Sequence, residues 1–254
     1  MVDKKNNKSP YISVVIPVYN EEENIIQLCE AVTSVLDTYG KPYEILLIND
    51  GSTDRTLELI TQVKNQRSLR STSGFAELRV LSFERNAGQT AGFDAGFKAA
   101  KGEIIVTMDG DMQNDPRDIP VLIDKLVSMD CDGVVGWRRN RQDTLLRRIV
   151  SYFGNKVRNK LTGDRFKDTG CSLKALKSYT VKNLKLYSGM HRFLSTLINL
   201  EGFRLVEVSV NHFPRTRGKS KYSIMNRIFK VLMDILILRW MRKRHLNYKI
   251  SKEA

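Results

Sequence analysis

The sequence predicts an α/β protein, a mostly parallel sheet with helices on both faces, followed by a basic amphipathic helical extension. Three observations carry this. Short, almost wholly apolar runs alternate with longer segments of helical spacing as far as Arg138, the pattern of strands buried on both faces. After Arg138 the alternation stops. The charge is also segregated: from His212 onward twelve Lys and Arg face only Asp234 and Glu253, so ten of the fourteen net positive charges lie in the last segment.

Tyr11–Val18 is a β-branched apolar run and the first predicted strand. Glu21–Tyr39 has apolar residues at Ile25, Leu28, Cys29, Val32, Val35 and Leu36; that spacing is helical, and Glu21, Glu22 and Glu23 suit a helix N-terminus. Tyr43–Asn49 is a second strand, and Asp54–Lys64 a second helix capped from Ser52 or Thr53. The polar stretch Gln66–Glu77 reads as a surface loop. Leu78–Phe83 predicts a third strand, Gln89–Lys101 a helix of small residues, Glu103–Met108 a fourth strand, Pro116–Met129 a helix and Asp132–Gly136 a fifth strand. Beyond these, Leu145–Leu161 reads as a basic amphipathic helix and Phe203–Val210 as an isolated strand. Ile224–Met241 reads as a helix with apolar residues at Ile224, Ile228, Val231, Ile235 and Leu238.

The 254 residues, 41% hydrophobic and 28% charged, allow a substantial core and exclude disordered, collagenous and coiled-coil classes. Three scattered cysteines, Cys29, Cys131 and Cys171, form neither a disulfide framework nor a zinc cluster and read as reduced thiols. No apolar run approaches the roughly 20 residues of a membrane span, and no leader is visible in MVDKKNNKSP. The expected location is cytoplasmic. A basic tail favours polyanions: nucleic acid, an anionic membrane face or phosphate-bearing substrates. Its few aromatics, Tyr222, Phe229, Trp240 and Tyr248, mostly occupy apolar helix positions rather than stacking platforms, so nucleic acid is not the expected partner.

In parallel sheets ligands bind beyond the carboxyl ends of the strands, and the polar motifs lie there: Tyr19-Asn20-Glu21, Asp50-Gly51-Ser52 and Asp109-Gly110-Asp111. Asp109 and Asp111, one residue apart on a loop, with Gln113 as a neutral oxygen, are a hard-oxygen set that suits Mg²⁺ or Mn²⁺ shared with a phosphate. An Asp-rich turn would look the same. His191 is better read as a packed or hydrogen-bonding residue than as a base, and Cys171 as a packing residue than as a nucleophile.

Together the motifs say more than singly. VVIPVYNEEENI, LLINDGSTDRT and ERNAGQTAGFDAGFKAAKGEIIVTMDGDMQNDP resemble the family 2 inverting glycosyltransferases. VVGWRRNRQD, LLRRIVSYFGNKV, FKDTGCSLKAL, GMHRFLSTL and HFPRTRGKSKYSIMNRIFKVLMDI resemble its polyprenyl-phosphate branch. The resemblance implies a GT-A fold, Rossmann-like, and transfer of a sugar from a nucleotide-sugar, UDP-linked by its likeness to the bacterial undecaprenyl-phosphate enzymes, to a polyprenyl phosphate. It also implies roles by position. Pro17, Tyr19, Glu21, Ile48 and Asp50 match nucleotide-binding positions, joined by Asp109 and Gly110. Asp109, Asp111 and Gln113 match the Mg²⁺ or Mn²⁺ motif. Arg138 and Arg147 or Arg148 match arginines near the sugar or acceptor phosphate, with Arg148 carried forward as the catalytic one. Arg215 and Lys221 match a pair in the loop over the phosphates. Asn49 and Lys174 depart from the pattern, standing where Asp and Arg are common, and the membrane-spanning tail of many bacterial members is missing. A glycosyltransferase acting on a soluble glycan shares the nucleotide and metal motifs.

A lipid acceptor requires docking at a bilayer. The expected division is a disordered basic tail over 1–10, a catalytic domain over 11–222, and a membrane-docking helix and tail over 223–254, peripheral on the cytoplasmic face. A small membrane-anchoring subunit is a second route to the same surface, and either route is compatible with a homo-oligomer.

Overall fold

The computed structural model describes residues 9–70, 76–138, 159–161, 163–214 and 224–246, without the side chains of 67–70 and 224–232. The predicted helix Leu145–Leu161 lies almost wholly outside the described residues. Seven strands form one sheet: β1 (Ile12–Val18), β2 (Tyr43–Asn49), β3 (Ala76–Ser82), β4 (Ile104–Thr107), β5 (Gly133–Arg138), β6 (Lys174–Lys177) and β7 (Leu205–Val210), in the order β3-β2-β1-β4-β6-β5-β7. All pairs are parallel except those of β6, which runs antiparallel between β4 and β5. The helices are α1 (Ile25–Tyr39), α2 (Thr56–Arg70), α3 (Gln89–Ala99), α4 (Asp118–Ser128), α5 (Tyr179–Lys182), α6 (Leu194–Leu200) and α7 (Ile224–Arg244), with a 3₁₀ turn at Met190–Phe193.

The alternation of β1 divides the core. Val14 and Ile16 face α1 and α4, packing with Leu28, Val32, Leu122 and Leu126. Val15 faces α3 and α6, packing with Phe93, Phe97 and Ile198. α3 approaches β1 closely because Gly92 and Gly96 lie on its inner face: a Cβ on Gly96 would overlap Val15 Cγ1. A third cluster, Met190, Phe193, Leu197, Ile235 and Leu238, docks α7 on the 3₁₀ turn and α6.

Several expectations change. α1 begins at Ile25, so Glu21–Glu23 precede the helix in a turn closed by the N–H groups of Asn24 and Ile25 on the Glu21 carbonyl. Ser52 and Thr53 do not cap α2. Their hydroxyls bind Asn20 of the neighbouring loop, and the Asp54 carboxylate accepts the Thr56 N–H instead. The stretch read as a loop from Gln66 is helical to Arg70, because Gln66, Arg67, Leu69 and Arg70 are good helix formers that carry α2 onward. β6 went unpredicted: it has four residues, and Lys174 at its head hides the pattern. Phe203–Val210 is not isolated, since Leu205–Val210 pairs with β5 along the sheet edge.

Gly96→Ala adds the methyl against Val15. It should lower stability by about 1–3 kcal/mol, read as a lower urea midpoint. A helix standing off the sheet would instead gain up to about 1 kcal/mol from alanine's propensity.

Candidate active site

The carboxyl ends of β1, β2 and β4 open on one side of the sheet, and the loops leaving them are cross-linked. After β1, Asn20 (φ 53°) donates its N–H to Ser52 Oγ at 3.0 Å and accepts the Thr53 N–H at 2.8 Å. The Glu21 N–H reaches Thr56 Oγ1 at 2.8 Å, and the Glu21 carboxylate accepts from the Asn24 amide at 2.7 Å. Tyr19 is partly exposed at this mouth.

Asp50, expected to face a nucleotide, is 3% exposed. It accepts the N–H groups of Ala87 at 2.7 Å and Gly88 at 2.9 Å and the side-chain amide of Asn86 at 3.0 Å. Its carboxylate therefore builds the loop leading into α3, because a buried charge must be hydrogen-bonded. Ile48 is fully buried, and Pro17 is buried under Gly92 of α3. Their side chains belong to the core, which leaves only their backbone to meet a ligand. Asn49, one of the departures noted above, donates to Ser82 Oγ at 2.9 Å and accepts the Ser52 N–H, so it too shapes the loop.

The loop after β4 carries Asp109-Gly110-Asp111-Met112-Gln113. Asp109 is partly buried, and Gln89 Nε2 donates to its Oδ1 at 2.6 Å. Desolvation and the neighbouring Asp111 push its carboxyl above the usual range, against the pull of Ser172, Lys174 and Arg138. Asp111 Oδ1 accepts the Gln113 N–H at 3.2 Å across Met112, which takes φ 61°. Asn114 Oδ1 accepts the Asp109 N–H at 3.3 Å and the Ser172 hydroxyl at 2.8 Å, tying the motif to the loop before β6.

Behind the motif lies a buried charge cluster. Arg138, at the end of β5, donates from Nε and a terminal nitrogen to both oxygens of Asp168 at 2.7 and 2.9 Å. Desolvation opposes its charge, yet the hydrogen bonds and charge of Asp168 outweigh it and hold the guanidinium firmly protonated. Lys174 is buried and donates to the Cys171 carbonyl. Desolvation pulls its pKa down, while Cys171, Asp109 and Asp168 oppose that pull. Burial pushes the Cys171 thiol up to about 11, which fits a packing role rather than a nucleophile. Antiparallel β6 places these groups, since its register sets Lys174 opposite Thr107.

The strap after β7 lies against the motif. Phe213 N–H donates to the Gln113 carbonyl at 2.9 Å, Asn114 bridges His212, and the Asp118 carboxylate accepts from the Asn211 backbone and side chain at 2.7 and 3.0 Å. The root of the segment carrying Arg215 and Lys221 is thereby fixed beside Gln113. Arg147, Arg148, Arg215 and Lys221 themselves lie outside the described residues. Gln89, Asn114, Asp168 and Ser172 were not singled out from sequence. Each acts on a residue 5 to 63 positions away along the chain, so no local spacing announces it.

Asp109, Asp111 and the oxygen of Gln113 are hard donors on one loop. Among the described residues no three His, Cys, Asp or Glu converge into a closed cage. Two carboxylates with an open side suit a Mg²⁺- or Mn²⁺-class ion that also takes phosphate oxygens.

These loops crown the carboxyl ends of an open α/β sheet, where ligands of such sheets bind. The model of glycosyl transferase family 2 matches residues 13–178. Dodecaprenyl-phosphate galacturonate synthase of Rhizobium johnstonii is 41% identical over 228 residues, 89% of this chain and 65% of that protein. Undecaprenyl-phosphate 4-deoxy-4-formamido-L-arabinose transferase of Aeromonas hydrophila is 38% identical over 232 residues, 91% and 68% of the two chains. The chain thus spans about two thirds of the length of these curated relatives. The chain belongs to glycosyl transferase family 2. Among solved structures, glucosyl-3-phosphoglycerate synthase from Mycobacterium tuberculosis superposes with TM-score 0.65 at 17% identity, covering 94% of this chain and 81% of that one. A Pyrobaculum calidifontis mannosyltransferase in complex with GDP-Man and Mn²⁺ superposes with TM-score 0.59 at 16% identity, covering 95% and 66%. Both share the GT-A fold.

Asp168→Ala strands the guanidinium of Arg138, whose side chain is 15% exposed. Breaking a buried pair by removing one partner costs about 3–5 kcal/mol, so the thermal midpoint should fall well below that of Asp168→Asn.

Proposed function

We propose that this chain transfers a sugar from a UDP-linked donor to a polyprenyl phosphate at the cytoplasmic surface of a membrane. The carrying observation is the strap that seats His212 and Phe213 on Gln113 and Asn114, which supports a role for the following Arg215 and Lys221 over the loop that bears Asp109 and Asp111. The printed names of the relatives, dodecaprenyl- and undecaprenyl-phosphate sugar transferases, support the acceptor class.

The chemistry accounts for such a cation-rich site. A phosphate oxygen of the acceptor attacks the anomeric carbon of the sugar while the bond from that carbon to the nucleoside diphosphate breaks. Inversion converts an α-linked donor into a β-linked lipid phosphosugar. The acceptor is already an anion, so no strong base is needed to form the nucleophile. The requirement is to hold two anions in line although they repel. In this reading Asp109, Asp111 and Gln113 would hold a divalent cation, which when bound would offset the charge of the departing diphosphate. Tyr19 and Glu21 border the nucleotide, with Pro17, Ile48, Asp50 and Gly110 shaping its floor. Arg138, Arg148, Arg215 and Lys221 bring positive charge to the sugar and the two phosphates.

The reading also needs a bilayer contact, and α7 supports one. Ile235 and Leu238 face the protein, while Met233, Leu236, Ile237 and Trp240 form a second stripe on the opposite side. Leu236 is 54% and Trp240 62% exposed, where an ordinary surface helix would be polar. Arg239, Lys243 and Arg244 flank that stripe, the distribution of a helix lying in an anionic interface. No described helix is long and apolar enough to cross a membrane.

UDP should raise the thermal midpoint only with Mn²⁺ or Mg²⁺ present, and Asp111→Ala should lose that shift. A shift with GDP and none with UDP would reassign the base, and no shift with any nucleotide would refute the donor site. Transfer of label from UDP-sugars to polyprenyl phosphate tests the acceptor. Arg215→Ala or Lys221→Ala should each cut kcat/KM about 10²–10³-fold, whereas label moving only to a soluble glycan would overturn the lipid assignment. Leu236→Glu with Trp240→Glu should abolish flotation with anionic liposomes while leaving the thermal midpoint unchanged.

A further inference from the structure

The residues leading into α3 are held from three directions. Asp50, at the end of β2, takes the N–H groups of Ala87 and Gly88. Gln89 gives its side-chain amide to Asp109 after β4. Thr90, 6% exposed, turns the other way: its Oγ1 lies 2.6 Å from Nδ1 of His191 and accepts the Gly189 N–H at 3.0 Å. Gly189 takes φ 89° and starts the 3₁₀ turn. His191 also lies beside the Phe93 ring, with centroids 6.4 Å apart. Adjacent side chains, Gln89 and Thr90, thus join the metal motif to a turn about a hundred residues further along the chain.

We propose that Thr90 and His191 are positioning residues for the reaction. Their hydrogen bond fixes the first turn of α3 so that the Gln89 amide holds one oxygen of Asp109, leaving the other oxygen and Asp111 to the donor diphosphate and its cation. This rests on the donor reading given above. The Thr90 oxygen already receives the Gly189 N–H, so we assign its hydroxyl hydrogen to Nδ1 of a neutral imidazole that carries its own proton on Nε2. The arrangement needs a hydroxyl at residue 90 and an acceptor at the Nδ1 position of residue 191. Serine meets the first requirement, and asparagine, whose side-chain oxygen falls near Nδ1, meets the second.

The same turn continues into Met190 and Phe193, on which Ile235 and Leu238 of α7 rest. The helix assigned to the lipid surface and the carboxylate assigned to the donor are therefore separated by this one joint.

The test is calorimetric titration of UDP in Mn²⁺, with the ligand-free thermal midpoint as the measure of folding. Thr90→Val and His191→Leu should each weaken UDP about tenfold, and the double variant should be no worse than either alone, as expected of two residues sharing one interaction. Thr90→Ser and His191→Asn should bind within about twofold of the wild type. Gln89→Met, which cuts the bridge at its other end, should show the same loss and make Thr90→Val silent. Unchanged UDP affinity with a lowered midpoint would reduce the bond to a structural one and overturn the proposal, as would additive losses in the double variant. Failure of the donor reading shows in the wild type, as no Mn²⁺-dependent UDP binding. Failure of the positioning proposal shows only in the variants.

Discussion

A carboxylate set into the carboxyl end of a buried strand must be surrounded by donors, and Asp109 imposes that requirement on the whole molecule. Burying an ionised group without partners costs several kcal/mol. Its partners come from separate elements: Gln89 from α3, Ser172 and Lys174 from the approach to β6 and its first residue, and Arg138 from the end of β5. The insertion of antiparallel β6 between β4 and β5 brings three of these within range. It turns the chain back so that the Cys171–Lys174 segment arrives at the strand ends rather than at their starts. The reversal in an otherwise parallel sheet thus serves the site.

The same logic explains why groups that look like ligand contacts are structural. Asp50 and Asn49 end β2 where a nucleotide would approach, yet both build the loops that form the rim. The rim is stiff because Asn20, Ser52, Thr53 and Thr56 stitch two loops together across more than thirty residues of sequence. Ligand-binding loops held in this way keep their geometry without the ligand, which reduces the ordering cost of binding.

At the other end of the chain, α7 has two apolar faces and a basic flank. Its inner face is satisfied by Met190, Phe193 and Leu197, and the guanidinium of Arg242 lies over Gly163. The helix is therefore fastened to the body of the protein while presenting Leu236 and Trp240 outward.

Local pattern determined the strands β1 to β5, the helices between them, the helix from Ile224 and the loop bearing Asp109, Asp111 and Gln113. In a doubly covered sheet each element declares itself through its own run of apolar residues and its own breakers. The family motifs were legible for a related reason: Asp109-Gly110-Asp111 is contiguous in sequence. What the tertiary structure alone decided are relations between distant segments. These include the place of β6 and the edge pairing of β7, the engagement of Asp50 by Asn86–Gly88, the Arg138–Asp168 pair, and the bridge from Asp109 through Gln89 and Thr90 to His191. Which face of α7 is buried also required the structure, because both faces are apolar and periodicity cannot choose between them. Hydrogen bonds and ion pairs form between groups that meet in space, and spacing along the chain does not encode those meetings until the sheet order is set.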